Sequence, residues 1–121
     1  MKVSDYYPVF YASDFEGEIK RLTEDLGFEV KHRPNIEMLE YAILEKGNNR
    51  RMDIVRSHFP ADSFSDGFLG MRANVDNFDE GVAYFEKLGY SFFGDPHETE
   101  KSITGLMSKD GKEYIIVFHH K

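Results

Sequence analysis

The side chains able to do chemistry in this sequence are few in kind. There is no cysteine, so thiol nucleophiles, disulfides, zinc ribbons and iron–sulfur ligation are excluded. Five histidines stand at positions 32, 58, 97, 119 and 120. His119 and His120 are adjacent; on a strand they point to opposite faces and cannot hold one ion together. His32, His58 and His97 fall at strand ends or loops, where a solvated polar role is the plain reading. Acidic residues outnumber basic ones by 22 to 15, a net charge of −7, which argues against a protein that tracks nucleic-acid phosphates or an anionic membrane. Eleven Phe and seven Tyr supply large flat side chains for a core or a pocket.

These residues must be positioned by a chain of 121 residues, long enough for one domain of ordinary globular composition. The organisation is a repeat. GFEVKHRP at 27–34 aligns with GYSFFGDP at 89–96 at an offset of 62. Upstream of each lies an amphipathic pattern, Phe15, Ile19, Leu22 and Leu26 in the first copy and Phe78, Val82, Phe85 and Leu88 in the second. Asp14 and Asn77 are placed to cap these helices, and Gly27 and Gly89 to end them. Three strands are expected after each helix: 28–33, 38–45 and 51–57, then 90–94, 102–107 and 113–119. KGNN at 46–49 and KDG at 109–111 serve as hairpin turns. An apolar or alternating stretch precedes each helix, so the order is β-α-β-β-β twice. Module one covers about 5–57 and module two about 69–121, with the Ser/Asp/Gly/Pro-punctuated stretch 58–68 between them. The N-terminus MKVSDYYPVFYASD lacks an apolar run before a cleavage site, and no stretch approaches eighteen apolar residues, so a soluble cytoplasmic protein is expected.

The segments ASDFEGEIKRLTEDLGF, NVDNFDEGVAYFEKLGY and SKDGKEYIIVF, within this repeat order, resemble the vicinal oxygen chelate superfamily of glyoxalase I, extradiol dioxygenases and bleomycin- or fosfomycin-resistance proteins. The resemblance covers nearly the whole chain. It implies an α+β fold in which two βαβββ modules form a curved mixed sheet with a concave cavity. In metal-using members each module offers one ligand from the start of its first strand and one from its last. Here those positions project onto Tyr7, Gly70, Asp53 and Ile115, and only Asp53 is a plausible ligand. No metal and no other cofactor is therefore expected.

Strand parity from those projected positions fills the cavity. Tyr7, Val9 and Tyr11 face it from the first strand, and Gly70, Arg72 and Asn74 from its counterpart. Asp53, Val55 and Ser57 face it in module one, and Ile115, Val117 and His119 in module two. Phe10, Ala12, Met52 and Ile54 then face the first helix, and Met71, Ala73, Val75, Tyr114, Ile116 and Phe118 the second. The candidate ligand-binding residues are Tyr7, Tyr11, Asp53, Arg72, Asn74 and His119, an apolar body with a few directional polar groups. Each has a plain alternative: Tyr7 and Tyr11 as partly exposed sheet residues, Arg72 and Asp53 as an ion pair.

The resemblance thus implies a metal-free protein of the bleomycin-resistance type, a homodimer that sequesters a small organic molecule, with Arg72 suited to an anionic group. The rival is a glyoxalase-like lyase or isomerase, or a dioxygenase-like enzyme using a divalent metal. An enzyme with Asp53 and His119 as acid and base is a further form of it.

Overall fold

A computed structural model describes residues 2–34, 39–47, 50–57 and 64–121. The expected linker residues 58–63, with His58 and Phe59, and the turn residues Asn48 and Asn49 lie outside them.

The elements run β1 (Val3–Tyr11), α1 (Phe15–Glu24), β2 (Glu29–His32), β3 (Leu39–Lys46), β4 (Arg50–Ser57), β5 (Gly67–Val75), α2 (Phe78–Lys87), β6 (Ser91–Phe92), β7 (His97–Glu98), β8 (Ser102–Lys109) and β9 (Glu113–His120). This is an α+β chain of two βαβββ modules. The strand expected over 90–94 shortens to the two residues of β6, and a further two-residue strand that was not expected, β7, follows it; both are antiparallel to β8. The chain divides into two compact units, Pro8–Leu69 (the first module) and Gly70–Lys121 with the chain up to Tyr7 (the second). The first half of β1 therefore counts with the second module.

Local chemistry sets the helices. The Asp14 carboxylate accepts from Gly17 N–H at 3.1 Å, and the Asn77 side-chain oxygen from Glu80 N–H at 3.0 Å, each satisfying an otherwise orphaned donor. Each cap contributes about 1 kcal/mol. Gly27 and Gly89, at φ of +76° and +99°, follow the helices in the left-handed region open to glycine. Leu26 and Leu88, expected on the buried stripes, lie beyond the last helical residues and are exposed.

In the first module the sheet order is β2-β3-β4-β1, with β1 and β4 parallel and the other pairs antiparallel. Phe15, Ile19 and Leu22 of α1 pack on Ala12, Ala42, Leu44 and Ile54, with Phe10 and Met52 at the margin. The expected helix-facing residues of β1 and β4 are all there. Phe68, the last residue of the expected linker, belongs instead to β5 and packs edge-on against Phe10 at 5.8 Å while remaining largely exposed.

In the second module the order is β1-β5-β9-β8-β6, with β5 and β9 parallel. Phe78, Val82 and Phe85 of α2 pack on Ala73, Val75, Met107, Ile115 and Val117. Here one expectation fails. Ile115 and Val117 belong to the helix side, and Tyr114, Ile116 and Phe118 share the other face with Gly70, Arg72 and Asn74, their Cα partners in β5. The cause is a single residue. Val9 pairs with Asp53 and Arg72 with Ile116, so the first and last strands repeat at 63 residues, whereas the glycine-to-proline segments repeat at 62. Carrying the shorter offset onto β9 turns every side chain to the wrong face.

Among the described residues no helix is long and apolar enough to cross a membrane.

Candidate functional site

Each module presents polar side chains on the sheet face away from its helix. In the first, Val9 and Tyr11 of β1 pair with Asp53 and Val55 of β4, which pair in turn with Ile43 and Tyr41 of β3. Asp53 is completely buried. Its carboxylate accepts from the Tyr41 hydroxyl, from Arg51 Nε at 2.9 Å and from Arg51 Nη2 at 3.2 Å. A buried charge needs such donors, and removing one partner would leave the other stranded. The Tyr11 hydroxyl donates to the Ser57 carbonyl at 3.2 Å, and its ring lies 5.2 Å from Phe64.

In the second module the residues form a chain of contacts. Arg72 Nε donates to Asn74 Oδ1 at 2.9 Å, and Asn74 Nδ2 donates to Asp5 at 3.3 Å. The Tyr7 hydroxyl also donates to Asp5, at 3.0 Å. The Arg72 guanidinium carbon stands 4.1 Å from the Phe118 ring centre, a cation–π contact. Arg72 is only 9% exposed, so its charge sits where water screens weakly and partners count for more. Because Asn74 is bonded at both ends of its amide, its orientation follows from its neighbours. A guanidinium held this way by Asn74 and Phe118 has its orientation set by the second module's own residues.

His119 is a correction. It lies on the face of Ile115 and Val117, and its Nδ1 is 2.9 Å from the Val75 carbonyl just before α2. It therefore stands on the other side of the sheet from Arg72 and Asn74, for the offset reason above. Of the remaining expected residues, Tyr7, Arg72 and Asn74 are brought together in the second module, and Tyr11 and Asp53 share one face of the first.

Sequence reasoning missed Asp5, Phe118, Tyr41 and Arg51. Asp5 was legible, since it stands two residues before Tyr7 on one strand. Phe118 needed the right offset. Tyr41 and Arg51 needed the hairpin register, which pairs Tyr41 with Val55 and Glu45 with Arg51.

The projected metal positions do not suit a divalent ion. A Cβ at Gly70 would lie 2.0 Å from the Tyr114 carbonyl oxygen, so no ligating side chain fits there. The true counterpart of Asp53 is Ile116, which has no donor atom. Asp53 itself already accepts from three N–H and O–H groups. Among the described residues no group of three His, Asp or Glu side chains is placed to hold a metal.

A separate cleft of about 260 Å³ lies along β2 and β3, lined by Gly27, Glu29, Lys31, Glu45, Lys46 and Gly47. Its walls are charged or glycine, and Lys31 is paired with Glu29 at 2.9 Å, so it lacks the apolar body that organic ligands require.

By sequence, no family model and no curated protein matches the chain. By structure it is similar to the methylmalonyl-CoA epimerase of Streptomyces coelicolor in complex with 2-nitronate-propionyl-CoA. That match has a TM-score of 0.73 at 12% identity and covers 98% of this chain and 99% of that one. The methylmalonyl-CoA epimerase of Mycobacterium tuberculosis is similar with a TM-score of 0.72 at 13% identity, over 98% of this chain and 89% of that one. A glyoxalase/bleomycin resistance protein/dioxygenase superfamily member from Vibrio splendidus gives 0.62 at 13% identity, over 95% and 97%. Two βαβββ modules in this order, matching such structures over nearly their whole length, give this protein the vicinal oxygen chelate fold.

Proposed function

We propose that this protein binds a small organic molecule bearing an anionic group, without a metal, and acts by sequestration in the manner of bleomycin-resistance proteins. The observation that supports this is Arg72, a buried guanidinium bonded to Asn74 and set over the Phe118 ring in a protein of net charge −7. Tyr7 and Asn74 orient the polar end, and Tyr11 and Asp53 are the corresponding residues on the first module's open face. The same proposal includes a cytoplasmic location and a homodimer, because the outermost strands β2 and β6 carry exposed residues along an open edge. Light scattering at micromolar concentration is expected to give twice the 14.1 kDa chain mass, and a monomer mass would retire the dimer.

The test is melting temperature against a panel of carboxylates and acyl-CoA esters in the presence of chelator. At least one anion is expected to raise it by several degrees, as saturating ligand does, and Arg72→Ala to abolish the rise. A rise that survives Arg72→Ala, or that needs an added metal ion, overturns the reading.

The rival reading is a glyoxalase-like lyase or isomerase. The observation favouring it is that two of the similar structures are epimerases of a CoA ester. Its check is deuterium incorporation into methylmalonyl-CoA in heavy water, together with elemental analysis of protein purified without a metal column. Exchange above the buffer rate, or about one transition metal per chain, would favour the enzyme.

A further inference from the structure

The second module holds one buried polar atom that its own residues leave unserved. Ser108 of β8 is 8% exposed, and its Oγ has no hydrogen-bond partner among the described residues. It pairs with Tyr114 of β9 on one side and Ser91 of β6 on the other. Its neighbour Met107 packs among the core residues of α2, so Ser108 lies on the opposite face of the sheet. Two rings close over it. Phe93 follows β6, where its N–H donates to the Leu106 carbonyl at 2.8 Å, and its ring meets that of Tyr114 edge-on, with 5.7 Å between centres. Because β8 runs between β6 and β9, the rings can meet there only by crossing β8 on the face of Leu106 and Ser108. The Tyr114 hydroxyl donates elsewhere, to the Gly111 carbonyl at 3.3 Å. A buried hydroxyl left unpaired opposes folding, so its presence calls for a partner from outside the chain.

We propose that the floor beneath the Phe93 and Tyr114 rings is a binding subsite for a neutral aromatic molecule that carries one hydroxyl or carbonyl oxygen, with Ser108 as its hydrogen-bond partner. Such a subsite stands apart from the anion-binding reading and asks nothing of Arg72. The walls set the chemistry of the ligand. Leu106 and Ile116, paired on that face, are aliphatic, and Ile116 is buried. A ring is the body that an aromatic wall holds best, stacked on it or edge-on to it. An oxygen on that ring can exchange a bond with the Ser108 hydroxyl, which both donates and accepts. A charge would be costly where aromatic and aliphatic groups replace water. Phe93 is the wall that moves. It lies in the stretch 93–96, outside the strands between β6 and β7, and Gly94 after it sits at a φ of +83°. When the Phe93 ring swings outward, the ligand's ring takes its edge-on place against Tyr114 and brings the oxygen within reach of Ser108.

The experiment titrates the full chain with benzyl alcohol and with toluene, which differ by one hydroxyl, and follows the Leu106 and Ile116 methyls and the Tyr114 ring by NMR. Both compounds are expected to shift these signals. The affinity for benzyl alcohol relative to toluene is expected to fall by about threefold to tenfold in Ser108→Ala, as loss of one buried hydrogen bond predicts. A ratio that is the same in both proteins shows that the hydroxyl is met by water or by nothing, and overturns the subsite. Binding of neither compound, or shifts confined to other residues, overturns it as well. None of these outcomes touches the anion-binding reading, because neither compound is charged. Melting of Ser108→Ala without ligand is the second measurement. It is expected to stay within about 2 °C of the wild type or to exceed it, because deleting an unpaired hydroxyl removes no bond. A larger drop shows an internal partner for the hydroxyl and overturns the proposal.

Discussion

The Arg72 guanidinium carbon lies over the Phe118 ring, 4.1 Å from its centre, the two residues standing on neighbouring parallel strands. The ring shields one side of the cation, Asn74 takes its Nε–H, and the terminal nitrogens keep a fixed direction. A lysine could offer its ammonium to the ring or to Asn74, but it has no planar group that lies over the ring while giving an Nε–H to the amide.

Phe118→Leu is accordingly expected to lower stability by about 1–2 kcal/mol, through lost stacking and lost ring area. Arg72→Lys should lose a comparable amount despite keeping the charge. Urea unfolding followed by circular dichroism measures both. A lysine variant as stable as the wild type would show that charge alone matters at this position.

Asp53 makes the opposite kind of demand, since its charge is buried with Arg51 and Tyr41 around it. Asp53→Ala should cost about 3–5 kcal/mol because it strands the arginine. Asp53→Asn should cost less. Tyr41→Phe combined with Asp53→Ala should fall short of the sum of the single changes, as for residues in one network. A double-mutant cycle by urea unfolding provides the check.

Two glycines separate steric from conformational need. At Gly70 an added Cβ would meet the Tyr114 backbone oxygen at 2.0 Å, which neither strand can avoid without moving. Gly47 has open space but a φ of +61°. Gly70→Ala is expected to cost about 3 kcal/mol or more and Gly47→Ala about 1 kcal/mol. Equal effects in parallel urea titrations would refute the distinction.

Asp76 gives a pH dependence. The Lys2 N–H donates to its carboxylate at 2.8 Å, and this bond is the largest cause holding its pKa below the usual carboxylate value. A carboxylate with a depressed folded pKa stabilises the fold above its unfolded pKa and loses that contribution as pH falls through the folded one. The melting-temperature advantage of the wild type over Asp76→Asn should therefore be present at pH 5, shrink from about pH 4 downward and close at lower pH. An advantage that grows with acidity would contradict the assignment.

Much of this protein is written locally in its sequence. Asp14 and Asn77 cap helices because a short polar side chain before an amphipathic run can reach an orphaned N–H, and Gly27 and Gly89 end them because the chain there turns left-handed. The helix-facing residues Phe10, Ala12, Met52 and Ile54 follow from alternation alone. Such rules act over a few residues, so a reader of the sequence can apply them without knowing the fold. The assignment of faces in the second module is different in kind. Ile116 rather than Ile115 answers to Asp53, and His119 rather than Phe118 stands on the helix side, because β9 takes its register from Arg72 and not from the repeat that precedes it. A one-residue change in spacing between helix and glycine leaves every local signal intact, yet in a structure of period two it reverses the face of a whole strand. The partners of Asp53 are likewise beyond local reading, since Tyr41 and Arg51 approach it only through the pairing of β3 with β4. Local physics determined which elements form and where they end; which side chains meet over the open faces was decided by strand register, which only the folded sheet holds.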